Sequence, residues 1–145
     1  MKKTLFAALA AISVIAVSPA AAQQSSLKAG PMWTAARIAV EDGQMQNYMD
    51  YLNKTWTESQ AYAKSQGWLL DYYVLQSVNP RDGEPNIVLL TRYPDMPTAA
   101  EAERRNVLMN QHMSLDDHSA AAASGQRNAM RHLMGSVLFR EMVKR

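Results

Sequence analysis

Residues 31–78 constrain the fold most, because the spacing of their apolar side chains changes twice. Residues 33–40 alternate as a pleated strand does. From Gln44 the apolar residues recur at spacings of three, four or seven, which predicts one long amphipathic helix. Gly67 suits the left-handed end of that helix, and the aromatic and β-branched run 68–75 predicts a second strand. A strand, a helix and a strand in this order normally share one sheet with a right-handed crossover.

The remaining chain predicts two more strands and a longer helical region. In order, the expected elements are a hairpin loop at 79–86, a strand at 87–93, a helix from Thr98 to about Met113, a restarted helix to Met134 and a strand at 136–144. Turn-forming residues mark the loop. Capping-box spacing marks both helix starts, at Thr98 and Ser114, and we expect Gly135 to end the second helix. This order, β-α-β-β-α-β, predicts an α+β, ferredoxin-like fold with a four-stranded antiparallel sheet and an extended second helical region.

The first 22 residues have the pattern of a secretory signal peptide: a basic start, an apolar run at 5–17 and a small-residue exit. The apolar run is short for a transmembrane helix. We therefore expect cleavage near Gln23, no membrane span after removal of the leader, and a periplasmic or secreted protein. Residues 23–31 are small and polar and predict a flexible lead-in. Residues 32–145 suit one domain.

Composition excludes several classes of function. The chain has 15 Lys and Arg against 13 Asp and Glu, and removal of the two leader lysines leaves 13 against 13. A balanced charge offers no footprint for nucleic acid. The absence of cysteine excludes disulfides and thiolate chemistry. Because the sequence contains no catalytic-triad order, phosphate-binding glycine loop or dinucleotide fingerprint, we assign no cofactor.

Two short sequence patterns within residues 31–78 are similar to those of a known superfamily. They are Tyr-x-x-Tyr-Leu-x-x-x-Trp in the helix (Tyr48, Tyr51, Leu52, Trp56) and Lys-x-x-Gly before the second strand (Lys64, Gly67). Over roughly residues 32–144 the chain resembles the dimeric α/β-barrel superfamily, which includes the stress-responsive A/B-barrel, NIPSNAP-like and antibiotic-biosynthesis monooxygenase families. The nearest likeness is to small exported members of unassigned activity. The resemblance implies a homodimer whose sheets close into a barrel. It also implies a pocket between sheet and helices, where enzymatic relatives bind aromatic substrates or haem.

Seven aromatic and histidine side chains are candidates for lining such a pocket: Tyr48, Tyr51, Trp56, Tyr72, Tyr73, His112 and His132. The hydroxyls of Tyr48 and Tyr51 would orient a small aromatic or quinone-like ligand. Packing of amphipathic tyrosines at the edge of a core explains the same positions. We expect an exported small-molecule-binding protein. The alternative is a cofactor-free monooxygenase-like or haem-handling enzyme with a histidine as axial ligand, and whether the chain is an enzyme stays open.

The spacing of methionine and histidine residues suggests a further alternative function, a periplasmic copper-binding protein. Three pairs of methionines lie four residues apart: Met45/Met49, Met109/Met113 and Met130/Met134. Thioethers and imidazoles suit Cu(I), and His112, Asp116 and His118 lie near the predicted helix junction. Core packing by flexible methionines explains the same spacing, as does a histidine at a helix end. We assign no metal site, and His112, His118, Met109 and Met113 are weak candidates.

Charged residues inside strands predict a dimer face. Arg37 shares a strand face with Trp33, and Arg140 shares one with Leu138 and Met142. If these faces coincide, they lie on the side of the sheet away from the helices. The predicted face comprises Trp33, Arg37, Asp71, Arg140 and Glu141, with paired charges that set the register of a homodimer. An anion site is the alternative interpretation of these arginines.

Overall fold

A computed structural model describes residues 25–145 and contains a four-stranded antiparallel sheet. The strands are β1 (Leu27–Val40), β2 (Asp71–Gln76), β3 (Ile87–Tyr93) and β4 (Arg131–Lys144). Their order across the sheet is β2-β3-β1-β4, and every pairing is antiparallel. The predicted α+β, ferredoxin-like fold is confirmed. The predicted signal peptide lies outside the described residues.

The first helical region connects β1 to β2 and contains a widened turn. It consists of α1 (Met45–Tyr51), a π-helical turn (Leu52–Trp56) and α2 (Thr57–Ser65), which follow one another without a break. The hydroxyl of Thr57 donates to the carbonyl of Leu52 at 2.8 Å, across the widened turn. Gly67 has a φ of +70°, so it ends the helix in the left-handed conformation that the sequence predicted. None of the helices described is long and apolar enough to cross a membrane.

The second helical region consists of α3 (Ala99–His112) and α4 (Asp117–Arg127). The side chain of Thr98 accepts the backbone N–H of Glu101, as the capping pattern predicted. The second helix start was predicted at Ser114, which is wrong. The capping box is formed by Asp116 and Ser119 instead, because Ser114 has a φ of 55°, outside the right-handed helical region.

Both long strands begin earlier than the sequence predicted. β1 starts at Leu27, inside the predicted flexible lead-in, and β4 starts at Arg131, inside the predicted helix. The two strands pair with each other from Leu27↔Lys144 to Val40↔Arg131. Each strand therefore provides hydrogen-bond partners for the backbone of the other, including in the segments that the sequence did not predict as strand. Gly135 does not end a helix. It lies in β4 beside a ladder irregularity and has a φ of +123°.

Within the described chain, helices pack against one face of the sheet and not against the other. Ile38, Ile87 and Leu89 pack against Tyr48 and Leu52 of the first helical region and form the buried core. We call this side of the sheet the helix-side face. We call the other side the open face. Antiparallel partners lie on one side of a sheet and side chains alternate along a strand, so the open face carries Trp33, Arg37, Asp71, Tyr73, Leu75, Arg92, Val137, Phe139 and Glu141.

Candidate functional site

A cleft of about 380 Å³ lies between the first helical region and the second. Its lining includes Tyr51, Thr55, Met113, Leu115, Arg127 and Met130. We call it the α4 cleft. Thr55 belongs to the π-helical turn, a feature that occurs frequently at functional sites. The carbonyl of Met130 accepts the backbone N–H of Glu41 at 2.9 Å, which joins the residues after α4 to the end of β1.

Tyr51 and Arg127 line this cleft, and Tyr48 packs behind Tyr51. The rings of Tyr48 and Tyr51 have centroids 5.8 Å apart and planes 20° apart. The guanidinium carbon of Arg127 lies 5.6 Å from the centroid of Tyr51, which is a cation–π distance. The cleft therefore combines an aromatic surface with a positive charge.

Tyr48 lies behind Tyr51 and is 1% exposed. Burial raises the pKa of Tyr48 to about 12, and the charges of Arg131 and Arg127 act in the opposite direction. The phenol is consequently protonated at neutral pH. Arg131 pairs with Val40 on the helix-side face, the side on which Tyr48 packs.

The structure brings together part of the predicted pocket. Tyr51 lines the α4 cleft, and Tyr48 is part of the core behind it. Trp56 and Tyr72 pack edge to face with centroids 5.7 Å apart, and Trp56 also packs against the core. Plain packing therefore accounts for Trp56.

The remaining predicted pocket residues lie elsewhere. Tyr73 is on the open face, and His132 pairs with Ala39 in β4 instead of lying on a helix. The ring of His112 stacks on Tyr62 with centroids 3.9 Å apart. The α4 cleft is not lined by any histidine of the described residues.

The residues suggested for copper do not face a common point. Met109 lines a second cleft, described below, whereas Met113 lines the α4 cleft. Met134 lies in β4, so it forms no helical pair with Met130. His118 is exposed on α4. Within residues 25–145 no group of three or more His, Cys, Asp or Glu side chains is placed to hold a metal ion.

A second cleft, of about 310 Å³, lies between α2, α3 and the end of β3. Trp68 and Tyr93 are among its lining residues. The guanidinium of Arg105 lies 5.5 Å from the ring of Trp68 and also pairs with Glu101 at 2.6 Å. The hydroxyl of Tyr93 is bonded to that of Thr91 at 2.9 Å. The charged and hydroxyl groups of this cleft are thus already engaged within the chain.

The sequence analysis missed Arg127 and Met130 as cleft residues. The sequence analysis placed both residues inside a helix that continued to Met134. In the structure α4 ends at Arg127, and Met130 lies between that helix and β4. A usable signal was present at Asn128, because Asn is a common residue where a helix ends. Ending the helix there would have placed Arg127 in its last turn.

The open face carries a polar network beside its aromatic side chains. Glu141 accepts the indole N–H of Trp33 at 2.8 Å and two bonds from Arg92 at 3.0 and 3.1 Å. The hydrogen bond from Trp33, with those from Arg92, holds the pKa of Glu141 below its usual value. The rings of Trp33 and Tyr73 stack with centroids 6.3 Å apart, and the hydroxyl of Tyr73 donates to Asp71 at 2.7 Å.

One member of the predicted dimer face is misplaced. Arg140 pairs with Met32, whereas Phe139 pairs with Trp33, so Arg140 lies on the helix-side face. Its guanidinium contacts Asp95 at 3.3 Å. The prediction was wrong because Arg37 and Arg140 were assumed to share one face. The register places Arg92 beside Glu141 instead.

Comparisons with known proteins add little to this geometry. No protein-family model matches the chain, and no curated protein matches its sequence. Among solved structures, a dimeric ferredoxin-like protein from an uncultured marine organism is similar at 8% identity with a TM-score of 0.49, covering 81% of this chain and 90% of that chain. Nothing about this chain's assembly or activity follows from a likeness this weak. The fold assignment rests on the strand order and the order of elements in the chain.

Proposed function

We propose that this chain is an exported protein that binds a small, largely apolar aromatic molecule in the α4 cleft. The observation that carries the proposal is the contact between Tyr51 and Arg127 at the wall of that cleft, with Tyr48 stacked behind Tyr51. A volume of about 380 Å³ lies within the range of small-molecule sites. The ring of Tyr51 and the thioethers of Met113 and Met130 offer polarisable surface to a planar ligand.

The proposed location outside the cytoplasm rests on the sequence of residues 1–22. Mass spectrometry of the exported protein should find a mature N-terminus at or near Gln23. An intact leader in the soluble fraction would contradict export.

Ligand binding is tested by filling the cleft. Ala123 lines it, and Ala122, on the same helix, is exposed. Titration calorimetry with 2-naphthol, a neutral aromatic probe, should show binding to the wild type. Ala123→Phe should weaken that binding at least about tenfold, since the new ring occupies the space. Ala122→Phe is the matched control and should leave binding unchanged. Equal affinity in both variants, with unchanged circular dichroism, would place the ligand elsewhere.

We also propose that two copies associate through their open faces. Tyr73, Leu75, Val137 and Phe139 are between 42% and 52% exposed on that face. An apolar surface of this kind is unusual on a monomer and marks an interaction site. A second copy buries it against an identical surface, as two-fold interfaces do.

Charge on the open face is compatible with a second copy as the occupant. Asp71 pairs with Lys64 at 3.1 Å, and Glu141 pairs with Arg92 at 3.0 Å, so both carboxylates are neutralised within the chain. Two open faces can therefore meet without placing an unpaired carboxylate in the interface.

A further inference from the structure

Two arginines beside the α4 cleft have no acidic partner in the part of the chain that the structure describes. Within residues 25–145, ion pairs involve Lys64, Arg81, Arg92, Arg104, Arg105 and Arg140, and none includes Arg127 or Arg131. Residues 1–24 contain no Asp or Glu. Among the described residues, therefore, no carboxylate side chain lies within ion-pair distance of either guanidinium.

The burial of these arginines makes their lack of partners significant. Arg127 and Arg131 are both half-buried, whereas Arg104, whose side chain is 56% exposed, pairs with Glu101 at 2.7 Å. A charge that has lost part of its water normally gains a partner in return. Here the observed partner of Arg127 is the ring of Tyr51, which leaves the edge of its guanidinium for another group.

The positions of both charges relate them to the cleft. Arg127 lines it directly. Arg131 follows Met130, another lining residue, and lies on the helix-side face of the sheet. Among the other lining residues Thr55 and Gln126 are polar, whereas Met113, Leu115 and Met130 are apolar. Arg127 therefore carries the one charge among the described residues of the lining.

We infer that the ligand of the α4 cleft is an organic anion, an aromatic carboxylate whose acid group meets Arg127 and whose ring lies against Tyr51, Met113 and Met130. This inference rests on the proposed function and names its ligand class. A carboxylate matches the planar guanidinium, which can donate two parallel hydrogen bonds to it. Arg131 adds positive potential without touching the ligand.

A structural role for Arg127 makes a different prediction. The residue lies in the last turn of α4, where a cation suits the negative end of the helix. In that role it affects the stability of the ligand-free protein and not the choice between charged and neutral ligands. The two roles are separated by comparing ligands that differ only in charge.

The experiment uses 2-naphthoate and its neutral analogue 2-naphthamide, titrated calorimetrically into the full mature chain at neutral pH. We expect 2-naphthoate to bind at least about tenfold more tightly than 2-naphthamide, and this preference to weaken as salt is added. Arg127→Gln should remove the preference, and Arg127→Lys should restore part of it. Arg104→Gln is the matched control, because it removes an arginine that is already paired, and it should keep the preference.

The outcomes separate this inference from the proposed function. Equal binding of both probes, lost in Ala123→Phe, would keep the cleft as a ligand site and overturn the choice of an anion. Failure of both probes and of 2-naphthol to bind would overturn both proposals. A preference for 2-naphthoate that survives Arg127→Gln would also overturn the inference. So would an Arg127→Gln variant that loses only thermal stability.

Discussion

The two halves of this fold are packed to different degrees although each follows the same strand–helix–strand order. The first helical region presses Tyr48 and Leu52 onto Ile38 and Ile87 and buries all four. By contrast, α3 and α4 contain no buried residue. β4 exposes Leu138 on one face and Phe139 on the other, at 50% and 52%. The helices of the second half thus contribute no buried side chain to a hydrophobic core.

The sequence of α4 explains part of this difference. Residues 120–123 are four consecutive alanines, which favour a helix but fill little space. A helix with such short side chains leaves room between itself and Tyr51, and that room is the α4 cleft. The loosely packed half therefore leaves room for the α4 cleft, whereas the exposed apolar side chains of the open face come from both halves.

The largest expected effect contrasts truncations in the two halves. Ile38 on β1 is 2% exposed in the packed half, and Val107 on α3 is 49% exposed. Ile38→Ala should lower the free energy of unfolding by about 2–5 kcal/mol, because it removes buried methyl groups and leaves a cavity. Val107→Ala should change it by about 0.5 kcal/mol or less. Urea denaturation measures both, and equal losses would contradict the contrast between the halves.

The next effect concerns association through the open face. Phe139→Asp should weaken the dimer by about 2 kcal/mol or more, since it places a charge where an aromatic side chain is buried against the partner. Light scattering at micromolar concentration should show a dimer mass for the wild type and a monomer mass for the variant.

Two controls restrict that result to the open face. Val107→Asp adds the same charge at a site of similar exposure on α3, and Arg140→Gln removes a charge from the helix-side face. Both should stay dimeric. A monomer mass for the wild type would mean that the open face is covered in another way.

Local sequence was sufficient for the first helical region and insufficient for the starts of the two long strands. The change of period at Gln44 and the left-handed Gly67 predicted the first helical region, apart from the π-helical turn. The early start of β4 at Arg131 was not predictable in the same way. Those residues are strand because β1 extends alongside them, and pairing between distant segments is not encoded in a local pattern.

The candidate site followed the same division. Tyr51, on the well-predicted helix, does line the α4 cleft. Arg127 was missed because its environment depends on where α4 ends, and that end is set by the strand that follows. Arg140 was assigned to the open face because strand register decides the face, and one residue of register exchanges the two faces.

A smaller effect is expected at low pH and tests the open face again. The pKa of Glu141 is lowered from 4.5, first by the indole of Trp33 and then by Arg92. A lowered pKa in the folded state adds stability that is present above the ordinary pKa and lost as pH falls through the folded value. The free energy of unfolding should therefore decline below about pH 4.5. In Glu141→Gln that decline should be shallower, and identical pH profiles would show that Glu141 contributes nothing.

The smallest expected effect is at high pH and belongs to the packed half. Burial raises the pKa of Tyr48 from 10.0 to about 12, so the folded protein holds this proton more tightly than the unfolded chain does. The resulting stability is present below pH 10 and is lost as pH rises toward 12. Tyr48→Phe cannot ionise, so its unfolding free energy should fall less between pH 9 and pH 11. At neutral pH the exchange nearly conserves volume and should cost less than about 1.5 kcal/mol. Phenolate absorbance should show that the variant lacks a late-titrating tyrosine, whereas coincident titration curves would mean that Tyr48 is not held protonated by the core.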